Sequence, residues 1–417
     1  MSLIGQDPKD KIVQRFARHV SSGKAEFFSQ VGVDFIFGKR RGVYVWDVAG
    51  ERRLIDCHCN GGVFNLGHRH PRVIAALKRA LEELDIGNHH FISEHRAMLA
   101  ERLAALCPGD LKRVVFGVGG GEAVDTAIKL ARGHTGRPNV ISARGGYHGH
   151  TGLALATGDE QYRQPFGPLP PGFHHVPFGD LAALDAAMDG DTAAVIFETI
   201  PATMGIVLPP QDFYAGVRQL CDRHGAVMII DEVQTGLGRC GDVWGINTYG
   251  VIPDILVTAK GLSGGIYPMS ATLYREHLDH FFRRNPFIHI STFGGAEVGC
   301  YVALEVLDIL SEPGFMEHVR QMAGLFQAGF EQLKKNHPAV LVDARQRGLM
   351  MGLKLASEAF GPMMTLAGFH HGLLTIYANH DQSVNQLLPP LTIQPDQVAE
   401  ALQSLDHMLA WLEAQVA

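Results

Sequence analysis

Short apolar runs alternate with helix-like stretches through the middle of the chain. "KRVVF" precedes "EAVDTAIKLARGHTG", "AAVIFET" precedes "DFYAGVRQLCDRHG", and "AVMIIDE" and "DILVTAK" follow. Runs that are apolar on both faces, separated by amphipathic stretches, predict a mostly parallel sheet covered by helices, which is an α/β domain. A helix predicted over 121–132 carries Ala123, Ala127 and Ala131 on one stripe beside Ile128 and Leu130, and such small residues let it lie close to the sheet. Pro71, after "NLGHRH", marks a helix start, because proline is tolerated in a first turn. Together these elements place a large domain over 71–312. From about residue 313 the texture changes to a helix over "MEHVRQMAGLFQAGFEQLKK", a strand-like "GLMMGLKLA", then "GLLTIYANH", and a terminal helix after Pro395. That last helix spaces Val398, Leu402, Leu405, Met408, Leu409 and Leu412 for one buried face. We read 313–417 as a smaller α+β domain, joined by the N-terminal segment 1–70 through "GVYVWDVAGERRLIDCH".

Composition narrows the class of protein. A hydrophobic share of 46% against 19% charged residues in 417 suits an ordinary globular chain with a large core. The net charge of −7, with no basic run, argues against nucleic acid as a partner. No apolar stretch approaches the ~20 residues of a membrane span. "MSLIGQDPKDKIVQRF" lacks the apolar core of a secretory signal, so a cytoplasmic location without membrane attachment is expected. Cysteines at 57, 59, 107, 221, 240 and 300 are too scattered for a disulfide framework and are read as reduced. "DCHC" at 56–59 has no second Cys/His pair at zinc spacing, so no metal is expected.

The candidate chemistry begins at "GVGGGEA", where Gly119, Gly120 and Gly121 follow a predicted strand and open a helix. Bare backbone at a helix N-terminus lets successive N–H groups approach an anion. Neither the dinucleotide fingerprint nor the Walker pattern fits the glycine spacing, so a single phosphate suits the turn better than a pyrophosphate. Two further apolar runs end in Asp231 ("MIIDEVQTGLGR") and Lys260 ("ILVTAKGLSGG"). Ligands of open parallel sheets sit beyond the carboxyl ends of the strands, so acid, lysine and phosphate turn face one crevice. A desolvated lysine, a carboxylate for a pyridinium nitrogen and a phosphate cradle are what pyridoxal phosphate requires.

The ordered set "GGGEA", "YHGHT", Glu198, "DEVQTGLGR", Lys260 and "STFGG" resembles the class III aminotransferases of fold type I, over nearly the whole chain. The resemblance implies a pyridoxal 5'-phosphate enzyme that moves an amino group from an amine or amino acid to a keto acid. It makes Lys260 the Schiff-base lysine and Cα proton carrier, and Asp231 the partner of the pyridinium nitrogen. Gln234 then bonds the ring hydroxyl oxygen, Tyr147 stacks on the ring with His148 beside it in the cofactor site, and Glu198 backs Asp231. Backbone N–H groups of Gly120 and Gly121 hold the phosphate, and Thr292 reaches it from a neighbouring subunit, which implies a homodimer.

Several positions depart from that pattern. The usual Ser-Gly-Ser/Thr turn is Gly119-Gly120-Gly121, and the usual Gly-Asn-Pro after the phenylalanine is Gly295-Ala296-Glu297. Thr203 replaces a second acid, and Gln386 in "NQLLPPL" replaces the arginine that binds a substrate carboxylate. Glutamine makes no bidentate charged pair with a carboxylate. We therefore expect a donor other than an N-acetylornithine-like amino acid held by that arginine, with Arg40, Arg41 and Arg144 as alternative cations. Competing readings are a phospho-lyase, a racemase or epimerase, or a decarboxylase on the same cofactor. A cofactor-binding protein without turnover is another, and so is a serine hydrolase at Ser263, where "GLSGG" matches G-x-S-x-G.

Overall fold

The computed structural model describes residues 3–416. Its centre is a seven-stranded sheet of β1 Leu111–Gly117, β2 Asn139–Ala143, β3 Phe173–Val176, β4 Thr192–Glu198, β5 Val227–Asp231, β6 Ile255–Thr258 and β7 Ser270–Arg275, in the order β1-β7-β6-β5-β4-β2-β3. Strands β2 to β6 pair in parallel, and every position of β4, β5 and β6 is buried. Strand β7 is inserted antiparallel between β6 and β1. The apolar run foretold the strand but carried no information on its direction.

Alternation within each strand feeds two cores. On one face Val227, Ile229, Ile255 and Val257 meet Ala123, Ala127, Ile128 and Ala131 of the helix Gly120–Thr135. On the other, Met228, Ile230 and Leu256 join a larger cluster that includes Phe213, Val217, Val302 and Val306 of the helices Phe213–His224 and Glu297–Leu310. The small residues on the Gly120–Thr135 stripe act as spacers, and the Thr272 hydroxyl fastens the helix to β7 by donating to the Ala123 carbonyl at 2.8 Å. This helix starts one residue earlier than its periodicity suggested, so Gly120 and Gly121 form its first turn.

Beyond β7 the chain builds an antiparallel sheet of Leu341–Arg347, Met350–Leu355, Val384–Leu387 and Ile376–Tyr377, in that order, with helices Phe315–Asn336, Phe360–His371 and Pro395–Val416. Val398, Leu405, Met408, Leu409 and Leu412 of the last helix are buried, as its spacing predicted. Near the N-terminus Phe37–Arg41, Tyr44–Asp47 and Arg53–Asp56 form an antiparallel sheet. Its fourth strand, Leu373–Leu374, comes from the C-terminal region and pairs in parallel with Ile55 and Asp56.

The ends of β4 and β5 are fastened by one buried carboxylate. Glu232 accepts from the hydroxyls of Thr199 at 2.6 Å and Thr235 at 2.8 Å, and from the backbone N–H groups of Ile246 at 2.7 Å and Gly245 at 3.0 Å. Burial pushes its carboxyl pKa up, and these four donors oppose that shift. Glu232→Ala strands four buried donors at once and is expected to lower stability by about 3 kcal/mol or more, measured by denaturant unfolding; Glu232→Gln, which keeps one acceptor, should cost less.

Candidate active site

Parallel strands bring their carboxyl ends to one edge. Glu198 and Asp231 end β4 and β5 as register partners, and Lys260 follows β6 by two residues. They open into a cavity of about 390 Å³. Gly120, Gly121, Tyr147, His148, Glu198, Asp231, Gln234 and Lys260 all line it, whereas Thr292 does not. Thr292 lies on an exposed bend among the exposed side chains of Phe287, Ile288, Ile290 and Phe293.

The acid centre is a buried pair. Asp231 Oδ2 lies 2.8 Å from His148 Nδ1, with both side chains buried, and Asp231 Oδ1 accepts the Val233 N–H at 2.9 Å. Burial disfavours a charge on His148, but the hydrogen bond and charge of Asp231 outweigh it and raise the imidazole pKa above its ordinary value. His148 Nε2 is buried without a hydrogen-bond partner. Glu198 lacks a pairing of that kind: its Oε1 accepts the Tyr147 N–H at 2.8 Å, and burial pushes its carboxyl up to about 7. That same hydrogen bond sets the backbone of Tyr147, whose ring is braced edge-on by His150 and Tyr162 at centroid distances of 5.2 and 5.6 Å.

Lys260 Nζ donates to Gln234 Oε1 at 3.1 Å. Burial lowers the pKa of this amine below its usual range, with Asp231 and Glu198 partly opposing. Its backbone has φ +37°, an unusual conformation for a residue with a side chain. The Ser263 hydroxyl is engaged in the same turn, donating to the Lys260 carbonyl at 2.8 Å and accepting the Gly265 N–H at 3.0 Å. Strand β7 rather than a helix follows that serine, so the turn is not built like a nucleophile elbow.

The glycine turn is shaped by its neighbours. A Cβ on Gly121 would stand 2.8 Å from Thr151 Oγ1, and one on Gly120 would stand 3.1 Å from Val233 Cγ1. Glu122 folds back, its Oε2 accepting the Val118 N–H at 2.7 Å. The first N–H groups of the helix lack intrahelical partners and face the cavity side, which suits an anion.

Charge elsewhere in the cavity is sparse. Lys260 is the one lysine or arginine lining it among the described residues; Arg40, Arg41 and Arg144 do not reach it, and Arg144 is exposed. Gln386 is buried in its strand, with Nε2 3.5 Å from the Tyr377 carbonyl, and the Thr203 hydroxyl donates to the Gly145 carbonyl at 3.0 Å. Val63, Val118, Ile200, Val233, Ile266 and Met269 give the wall an apolar character that no local motif announced. Sequence reasoning also missed the segment Cys59–Gly62, whose Gly61 lies against Lys260; the doubled glycine in "CNGGVF" was the available signal.

The family model described as "Aminotransferase class-III" matches residues 28–409. An uncharacterized aminotransferase of Archaeoglobus fulgidus is 58% identical over 398 residues, 95% of this chain and 93% of that protein. Two structures of the ornithine aminotransferase of Toxoplasma gondii superpose with TM-scores of 0.90 and 0.86. The first is 27% identical and covers 98% of this chain and 96% of the other. The second is 26% identical, covers 98% and 99%, and is described with PLP at partial occupancy in the active site. An (S)-enantioselective omega-transaminase of Thermomicrobium roseum is 26% identical over 97% of this chain and 99% of its own, with a TM-score of 0.87.

A raised carboxyl pKa has a definite sign in stability. With Glu198 at about 7 when folded and near 4.5 when unfolded, the folded state holds the proton more tightly, so stability falls as pH rises through that window. Glu198→Gln mimics the protonated acid and is expected to remove this loss. In cofactor-free protein its advantage over wild type should grow from pH 4.5 to 7 and level off above, at up to about 3 kcal/mol by denaturant unfolding.

Proposed function

The chain belongs to the class III aminotransferases, and from that premise we propose how its residues divide a pyridoxal-phosphate-dependent transamination among themselves. The enzyme transfers an amino group from an amine or amino-acid donor to a keto-acid acceptor. What carries the assignment of residues is that a buried Asp231–His148 pair, a desolvated lysine and a glycine turn at a helix N-terminus face one cavity.

These residues fit the cofactor. A cavity of about 390 Å³ suits a ring with a single phosphate, and Gly120 and Gly121 form a cradle in which added side chains would collide with Val233 and Thr151. Bound there, pyridoxal phosphate supplies an aldehyde that takes the amino group and a ring that withdraws electrons from the substrate Cα.

The chain's own part follows from its geometry. Backbone N–H groups of Gly120 and Gly121 would bind the phosphate with no hydroxyl from the turn itself. Asp231 would keep a proton on the ring nitrogen, and His148 holds the carboxylate oriented through Oδ2. Tyr147 would cover one face of the ring, fixed in place by Glu198. Burial keeps a share of Lys260 in the neutral, nucleophilic form, and Gln234 aims it. Lys260 Nζ, at the cavity wall, would take the proton from the substrate Cα. Gln234 would then be free to hold the ring hydroxyl oxygen.

The donor is read from what the wall lacks. With Gln386 turned to a backbone carbonyl and no arginine among the described lining residues, this chain's lining offers an α-carboxylate no guanidinium clamp. That supports an amine or amino acid other than an N-acetylornithine-like donor held by arginine. Thr292, standing exposed in an apolar patch, supports a homodimer in which it completes the neighbour's phosphate site. Among the described residues no helix is long and apolar enough to cross a membrane.

The test is the visible spectrum of the purified protein with a panel of amines and amino acids. Bleaching of the cofactor band by a donor, restored by a keto acid, is the expected outcome; turnover without any acceptor would favour lyase, racemase or decarboxylase chemistry. Lys260→Ala should abolish the lysine-linked band, and Asp231→Ala should lower kcat by about 10²-fold or more. Transfer from N-acetylornithine to 2-oxoglutarate as the best reaction would overturn the donor reading.

A further inference from the structure

The segment that closes against Lys260 comes from the N-terminal part of the chain, and the chemistry above leaves it without a task. Cys59, Asn60, Gly61 and Gly62 have φ of +50°, +49°, +67° and +94°, so four successive residues wind one left-handed turn. Two of them carry side chains, for which that region is sparsely populated, and such stretches persist only where their surroundings over-determine them. The surroundings are a buried carboxylate. Asp56 Oδ1 accepts the N–H of His58 at 3.0 Å and of Cys59 at 2.7 Å, and Asp56 Oδ2 lies 2.8 Å from His68 Nε2. The Cys59 thiol also donates to the Asp56 carbonyl at 3.4 Å.

What this turn presents to the cavity is bare backbone. A Cβ on Gly61 would lie 3.1 Å from Lys260 Nζ, 3.6 Å from Cε and 3.7 Å from Gln234 Nε2, so the peptide packs against the amine and against the amide that aims it. The brace continues past the turn. Asn65 accepts from the buried Arg239 guanidinium at 2.7 Å and donates to the Leu237 carbonyl at 3.3 Å. Gly261, next after the lysine, has room for no side chain, since its Cβ would stand 2.7 Å from Asn65 Nδ2.

We propose that the left-handed turn is a positioning element for the active-site lysine: Gly61 walls one side of Nζ, leaving the cavity as the direction in which the amine moves, and Asp56 holds the turn in place through the backbone of Cys59. The inference rests on the role given to Lys260 above. Neither Gly61 nor Asp56 exchanges a proton with substrate; both act by limiting where the lysine nitrogen stands. The acids that bear on that nitrogen are Asp231 and Glu198; His58, nearby, is held neutral by burial, which lowers its pKa to about 4, and Gln234 is the amine's hydrogen-bond partner.

The test compares holoenzyme of wild type, Gly61→Ala, Asp56→Asn and Asp56→Ala by kcat, donor KM, thermal midpoint and the pH midpoint of the visible cofactor band, which reads protonation at the lysine-linked nitrogen. Gly61→Ala is expected to lower kcat by about tenfold or more while KM stays within about threefold. Its added methyl excludes water from the nitrogen, so the band's pH midpoint should fall by about half a unit or more. Asp56→Ala should lower kcat likewise, and Asp56→Asn, which keeps an oxygen for the two N–H groups, should recover most of it. If Gly61→Ala yields no soluble protein, the contrast between the two Asp56 variants decides the matter. An unchanged kcat and band midpoint in Gly61→Ala overturns the inference, as does a fall in kcat and thermal midpoint with the band midpoint unmoved. A wild-type band that survives Lys260→Ala overturns the lysine assignment and this inference together, whereas a normal Lys260→Ala result with an unaltered Gly61→Ala overturns this inference alone.

Discussion

Charge buried at the edge of a parallel sheet is the constraint around which the rest of the molecule is arranged. Asp231, Glu198 and Glu232 stand at or just past the ends of neighbouring strands whose every residue is buried. An isolated carboxylate there would be costly, and each is answered differently. Asp231 has an imidazole, Glu232 has two hydroxyls and two backbone N–H groups, and Glu198 has chiefly one backbone N–H, and burial pushes its carboxyl up to about 7. Parallel strands make the arrangement possible, because they end at one edge where helix N-termini also point.

Much of this was legible in the chain. Strands apolar on both faces declared a sheet covered on both sides, and the residues that punctuate their ends, Asp231 and Lys260, stood out because each interrupts an apolar run. Ser270–Arg275 read as a strand but not as an antiparallel one, since direction resides in pairing rather than in composition. The partnership of His148 with Asp231 joins residues far apart in sequence, and nothing local to either foretells it. Likewise the turn at Cys59–Gly62 escaped notice because asparagine and glycine adopt the left-handed conformation singly, and nothing in their sequence announces a run of four that begins at a cysteine. Thr292, which by resemblance would serve a neighbouring subunit, stands exposed and does not line the cavity of its own chain.

With glycine at all three positions, the turn at Gly119–Gly121 has only backbone and helix polarity to offer an anion. Such a site tolerates no competing negative charge nearby, and the first-turn acid, Glu122, is turned away onto the Val118 N–H. Close packing of Gly120 and Gly121 against Val233 and Thr151 adds contact to that one side-chain hydrogen bond in fixing the loop. Geometry, in this turn, is set in part by exclusion of volume.

The parallel pairing of Leu373–Leu374 with Ile55 and Asp56 joins segments more than three hundred residues apart. As the chain leaves the ribosome, the strand Arg53–Asp56 therefore keeps an open edge while the whole central sheet is made. Asp56, at the end of that strand, also clamps the turn against Lys260. The lysine's surroundings are thus completed late in synthesis, and a chain that stops short of Leu373 leaves the strand carrying Asp56 without its parallel partner even where its central sheet has already formed.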